Sequence, residues 1–130
     1  MRDWTPSINP HDPQPVSESL SEYYKGRNEM DAGRLEQAVD HFKRSLAEDV
    51  HFKTSELLGE CLLQLGRAAE ALEPLTLSVA EGAAARPAYL LAKAHLDMGN
   101  TSAAKSAVEE SLRRNRTYGP ALELLRQIKP

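Results

Sequence analysis

The sequence predicts an all-α solenoid, in which antiparallel helix pairs stack side by side. Three observations carry this reading. Gly33, Gly66 and Gly99 recur at an interval of 33 residues. Small residues keep the same step at Gly26, Gly59, Ala92 and at Ala38, Ala71, Ala104, as do Ser45, Ser78 and Ser111. Apolar residues keep it too, at Phe42, Leu75, Val108 and at Leu46, Val79, Leu112. A unit of this length cannot bury its apolar side alone and must stack on its neighbours. Such a stack presents a long surface rather than an enclosed reaction centre, so binding is expected before catalysis.

The elements follow in order. Residues 1–16 hold Pro6, Pro10, Pro13 and Pro15, half of the eight prolines, and are expected to be an extended arm. Trp4, the only tryptophan, makes this segment a candidate docking arm. Residues 17–130 form the repeat domain, with repeats over about 19–51, 52–84 and 85–117. Seven helices are expected, near 19–32, 35–48, 52–65, 68–81, 87–98, 101–114 and 119–129. Ser19 and Glu22 have the spacing of a capping box at the first helix start. Gly33, Gly66 and Gly99 follow the first helix of each pair, where the chain turns with positive φ. Pro87 and Pro120 fall in first turns, where a missing amide hydrogen is harmless. Pro74 lies inside a helix and is expected to bend or loosen it.

Gly26, Gly59 and Ala92 are mid-helix, where glycine is a poor choice unless a partner helix approaches closely. Ala38, Ala71 and Ala104 offer the small opposing surface, and Phe42, Leu75 and Val108 fill the gap between pairs. The hydroxyls of Ser45, Ser78 and Ser111 are expected to bond back to a carbonyl one turn earlier. Residues 119–129 begin like another leading helix, but Leu125 occupies the small-residue slot, so a following helix would clash. A capping helix over the last apolar edge is expected.

Composition narrows the function classes. The net charge is −3 and the pI about 5.8, so the basic stripe of a nucleic-acid binder is not expected. No stretch approaches the roughly 20 apolar residues of a membrane span, and the first residues lack the apolar core of a signal peptide. The lone Cys61 excludes an internal disulfide framework. A cytoplasmic location is the expectation. Cys61 is far in sequence from His41, His51 and His95, so neither nucleophile–base nor metal-ligand spacing is visible. Each glycine here is explained by the repeat, which leaves no phosphate-cradling loop. No enzyme activity, cofactor or metal is expected. Arg113, Arg114 and Arg116 form the only dense basic run and are read as cations favoured at a helix C-terminus.

In register, these features resemble the tetratricopeptide repeat. The carriers are the small residue of the first helix (Gly26, Gly59, Ala92), the turn glycine (Gly33, Gly66, Gly99), the alanine early in the second helix (Ala38, Ala71, Ala104) and the large apolar residue after it (Phe42, Leu75, Val108). The segment GRLEQAVDHFKRSLAED, residues 33–49, is especially close to the family's pattern. The resemblance covers residues 19 to about 116. The period departs by one from the family's usual 34, Val50 stands at the first repeat end where proline is common, and serine replaces alanine at 45, 78 and 111.

The resemblance implies a right-handed superhelix whose concave groove is lined by the leading helix of each pair and takes peptides or helices. It marks Leu20, Tyr23, Arg27 and Met30, then Lys53, Glu56, Glu60 and Leu63, then Arg86, Tyr89, Lys93 and Leu96 as partner-binding residues. Tyr23, Tyr89, Met30, Leu63 and Leu96 would supply affinity, with Arg27, Arg86 and Lys93 steering a partner that has acidic and apolar groups. Some family members hold acidic chaperone tails with a Lys/Asn clamp. The matching places here carry Tyr23, Arg27, Leu57, Arg86 and Leu90, so this mode is disfavoured. The expected function is an adaptor or scaffold. Two alternatives stand beside it: a homo-oligomer in which the N-terminal arm fills its own or a neighbour's groove, and a secretion-type chaperone.

Overall fold

The computed structural model describes residues 17–128, which form α1 (Glu18–Asp31), α2 (Leu35–Glu48), α3 (Phe52–Gln64), α4 (Ala68–Glu81), α5 (Ala85–Asp97), α6 (Thr101–Arg114) and α7 (Gly119–Ile128). There is no strand among the described residues. The expected arm, with Trp4, lies outside them.

Consecutive helices pack on one another, and α3 also touches α5 across the intervening α4. The leading helices therefore form one wall and the trailing helices another, which is an α-solenoid.

Local chemistry explains the turns. Gly33, Gly66 and Gly99 have φ of 80°, 75° and 79°. Each closes a Schellman motif: the Gly33 amide donates to the Met30 carbonyl at 3.0 Å, and the Arg34 amide to the Glu29 carbonyl at 2.8 Å. Gly66 with Arg67 and Gly99 with Asn100 repeat the pattern. The orphan carbonyls at each helix end are thereby satisfied.

The mid-helix glycines answer to packing. A Cβ on Gly26 would meet the Phe42 ring at 2.6 Å, and one on Gly59 would meet the Leu75 side chain. Phe42, Leu75 and Val108 are fully buried, as are Ala38, Ala71 and Ala104. The apolar interior divides in two. One core joins α2, α3 and α4 to Leu90 and Ala94 of α5, and the other gathers Ala92, Ala107, Val108, Ala121 and Leu124. Tyr89 and Leu91 pack against both. Leu125 packs on the second core, in keeping with a helix that ends the stack.

Several local expectations are corrected. The α1 cap is Ser17, whose hydroxyl accepts from the Leu20 amide at 3.0 Å. Ser19 is the second residue of the helix, and its hydroxyl donates to the Ser45 carbonyl at 3.0 Å. Glu22 meets His41 instead of the helix start, with its carboxylate 2.6 Å from Nδ1. The repeat serines do not bond back along their own helices. Ser45 donates to the Ser19 carbonyl at 2.7 Å and Ser111 to the Ala85 carbonyl at 2.8 Å, which joins the two helices of a pair. The Ser78 hydroxyl is buried with no partner among the described residues. α5 begins at Ala85, two residues before the expected start, and Pro87 remains within its first turn.

Candidate functional site: the wall of leading helices

Lined up by the 33-residue step, two rows of the wall can be read across the three repeats. Positions 23, 56 and 89 carry Tyr, Glu and Tyr, and positions 27, 60 and 93 carry Arg, Glu and Lys. Repeats one and three thus each hold a tyrosine with a cation one turn later. The Arg27 guanidinium lies 6.0 Å from the Tyr23 ring centre, and the Lys93 ammonium 5.7 Å from that of Tyr89. Both separations suit a cation over an aromatic face. Neither cation is in an ion pair among the described residues.

Repeat two is different. Glu56 is only 3% exposed. Its carboxylate accepts from Arg86 at 2.7 Å and from Lys53 at 3.4 Å. Arg86 also pairs with Glu60 at 2.7 Å. Burial opposes the Arg86 charge, but the hydrogen bonds to Glu60 and Glu56 outweigh it and hold its pKa above the ordinary value. These four side chains neutralise one another and tie α3 to α5. Arg86 is therefore committed to internal carboxylates. Reversing its charge would set it against Glu56, which is almost wholly buried.

The remaining expected residues are distributed along the wall. Glu60, Leu63, Arg86, Tyr89 and Lys93 come together around a hollow of about 250 Å³ between α3 and α5. Leu20 and Tyr23 line a second one of about 340 Å³, where α1 meets the start of α3. Met30 and Leu63 pack against the first core and Leu96 against the second, so each presents only part of its side chain. Leu20 is 41% exposed.

Tyr118 was not visible from the sequence. Its ring meets Tyr89 edge-on, with centres 5.9 Å apart, and extends the aromatic surface beyond α5. Burial raises its pKa. The available signal was the register, since Tyr118 stands 33 residues after Ala85.

The chemistry elsewhere is quiet. Burial first, then the Glu60 charge, pushes the Cys61 thiol up to about 11, so it is not a nucleophile near neutral pH. Among the described residues, no group of three His, Cys, Asp and Glu side chains converges to hold a metal ion, and no helix is long and apolar enough to cross a membrane. Arg113 and Arg114 stand in the last turn of α6, as expected, and Arg114 also reaches the preceding pair. It donates to the carbonyls of Val79 (2.7 Å), Gly82 (2.9 Å) and Ala84 (3.2 Å), closing the C-terminus of α4. Arg113 pairs with Glu110 at 2.7 Å.

Comparison with known proteins adds the lineage. Tetratricopeptide repeat family patterns match residues 23–87 and residues 85–118. No curated protein sequence matches the chain. Among solved structures, the second tetratricopeptide repeat domain of human RPAP3, in complex with an HSP70 peptide, superposes with a TM-score of 0.83 at 21% identity, covering 87% of this chain and 96% of that one. The first such domain of Spaghetti (RPAP3), bound to an HSP90 peptide, gives a TM-score of 0.81 at 19% identity over 85% and 90%. The Yersinia enterocolitica secretion chaperone SycD, in complex with a peptide of the translocator YopD, gives 0.74 at 19% identity over 87% and 88%. At these identities the likeness concerns the fold.

Proposed function

The chain belongs to the tetratricopeptide repeat family, and from that premise we propose that it is a protein-interaction module, an adaptor or scaffold that holds a peptide or helix of a partner protein on its concave wall. The observation that carries this reading is the pair of tyrosine–cation units. Tyr23 with Arg27 and Tyr89 with Lys93 hold equivalent positions two repeats apart, and among the described residues neither cation is spent on a carboxylate. The fold does not require this chemistry, because repeat two carries glutamates at the same positions. Tyrosine and arginine are common anchors at interfaces, and unpaired cations raise the rate of meeting an acidic partner.

The relatives named above were solved with HSP70, HSP90 and YopD peptides. For this chain a chaperone-tail clamp is disfavoured on physical grounds. Leu57 and Leu90 stand in the buried core where the clamp needs exposed polar groups, and Arg86 is committed to Glu56 and Glu60.

The test is affinity capture from native lysate with the wild-type chain and with Arg27→Glu/Lys93→Glu. Neither residue holds a carboxylate among the described residues, so the helical circular-dichroism signal is expected to stay intact while the captured partner is lost. Equal capture by both chains would place the site elsewhere.

A further inference from the structure

The trailing helices form the opposite wall, and there the middle repeat is again the exception. At positions 44, 77 and 110 the residues are Arg, Leu and Glu, and at 36, 69 and 102 they are Glu, Ala and Ser. Repeats one and three put charge or a hydroxyl where α4 puts apolar groups, so the fold itself does not ask for an apolar outer face on α4.

Beside that face lies a hollow of about 510 Å³, bounded by α2, α3 and α4. The register explains it. In repeat one, Glu22 and His41 form a 2.6 Å pair bridging α1 and α2. The matching positions in repeat two hold the smaller Ser55 and Pro74, both of which line the hollow. The Ser55 hydroxyl is fully buried there and has no hydrogen-bond partner among the described residues. Pro74 has no amide hydrogen, so the Glu70 carbonyl also lacks its helical donor. Buried polar groups are normally satisfied, and an orphan on a hollow lined by apolar side chains with a charged border marks a place for a ligand group.

Charge selects the occupant. Lys43 on the α2 side and Glu73 on the α4 side border the hollow, and neither is in an ion pair among the described residues. α4 itself carries Glu70, Glu73 and Glu81 with no lysine or arginine. Stacking α4 on the α4 of a second copy would set carboxylates against carboxylates, which disfavours self-association here.

We infer that this outer seam between α2 and α4 is a second docking site, and that it takes an amphipathic helix of another protein. That helix inserts a large apolar side chain with a polar tip, as tyrosine has, toward Ser55. It sets basic residues along Glu73 and an acidic residue beside Lys43. The site lies on the opposite wall from the tyrosine–cation units and does not rest on their function.

The experiment uses the full chain, isotope-labelled, and a designed amphipathic helical peptide as long as α4, 14 residues. The peptide has a Leu/Tyr stripe with lysines on one flank and glutamates on the other. Amide shifts should cluster at Lys43, Ser55 and Leu77, and a peptide with a Ser/Gln stripe should give none. Leu77→Glu should weaken binding roughly tenfold or more. This variant is expected to fold, since Glu110 already stands in that register, and Ala80→Arg, which copies Arg113, serves as a second. Lys43→Glu/Glu73→Lys should reverse the preference to a peptide with exchanged flanks.

Absence of binding, shifts confined to α1, α3 and α5, or an affinity unchanged by both stripe variants would overturn the inference. So would an unreversed flank preference. A dimer in sedimentation that Leu77→Glu dissolves would assign the seam to a second copy instead. Shifts at Ser55 and Leu77 on Trp4→Ala, without peptide, would assign it to residues 1–16.

Discussion

The outer two repeats and the middle repeat share one backbone plan and carry opposite chemistry. On the wall of leading helices, repeats one and three show a tyrosine and an unpaired cation, while repeat two shows two glutamates held by Arg86. On the other wall the outer repeats carry charge or a hydroxyl at positions where the middle one carries Ala69 and Leu77. Positions that must be small or apolar for stacking, such as Ala38, Ala71 and Ala104, do not vary in this way. The difference separates residues that build the stack from residues that the stack leaves open.

The comparison breaks most severely at Arg86. Replacing it with alanine leaves Glu56 buried with only Lys53 at 3.4 Å, so a loss of about 2–3 kcal/mol is expected, the lower range because Arg86 itself is partly exposed. Lys93→Ala, two turns further along α5, should cost well under about 1 kcal/mol. Urea denaturation of both variants checks this, and equal losses would mean that the ionic cluster is no firmer than the tyrosine–cation units.

A somewhat smaller effect is expected at the mid-helix small position. Gly59→Ala drives a methyl into the fully buried Leu75, at about 1–3 kcal/mol. In repeat three the same slot already holds Ala92, in the core with Val108. Thermal melting decides, and a rise in Tm for Gly59→Ala would show that Leu75 yields as easily as its counterpart.

The smallest effect concerns the Glu22–His41 pair, which repeat two lacks. The His41 hydrogen bond is the main reason the Glu22 carboxyl lies below its ordinary value of 4.5. Arg34, Arg67 and Arg114 do the same, respectively, for Glu29, Glu70 and Glu110. A carboxyl lowered in the folded state contributes stability that is present above pH 4.5 and fades as pH falls through the folded value. Denaturation midpoints measured from pH 7 to pH 3 should therefore decline at the acid end, and Glu22→Gln should flatten that decline slightly. An unchanged slope would show that the pair adds nothing to folding.

The fold was legible because stacking repeats its demands every 33 residues, and a demand met three times at Gly33, Gly66 and Gly99 stands out from noise. What failed to show were bonds made across helices. Ser19 has the spacing of a cap, yet tertiary contact turns its hydroxyl to Ser45 and leaves capping to Ser17. Arg86 reads as a free anchor until the fold brings Glu56, 30 residues away, within 2.7 Å. Of the expected groove residues, Glu56 is spent in the same way, while the exposed stem of Leu20 and the rings of Tyr23 and Tyr89 reach hollows on the wall. The apolar outer face of α4 escaped for another reason: a search for sameness among repeats passes over the positions where they differ.

Tyr89 belongs to both apolar interiors and also faces the wall of leading helices. A linear array can fray from one end, unit by unit, but losing the last unit here withdraws a ring from the adjoining one as well. Whatever fastens that ring from outside also clamps the joint between them, so occupancy there resists fraying at that joint.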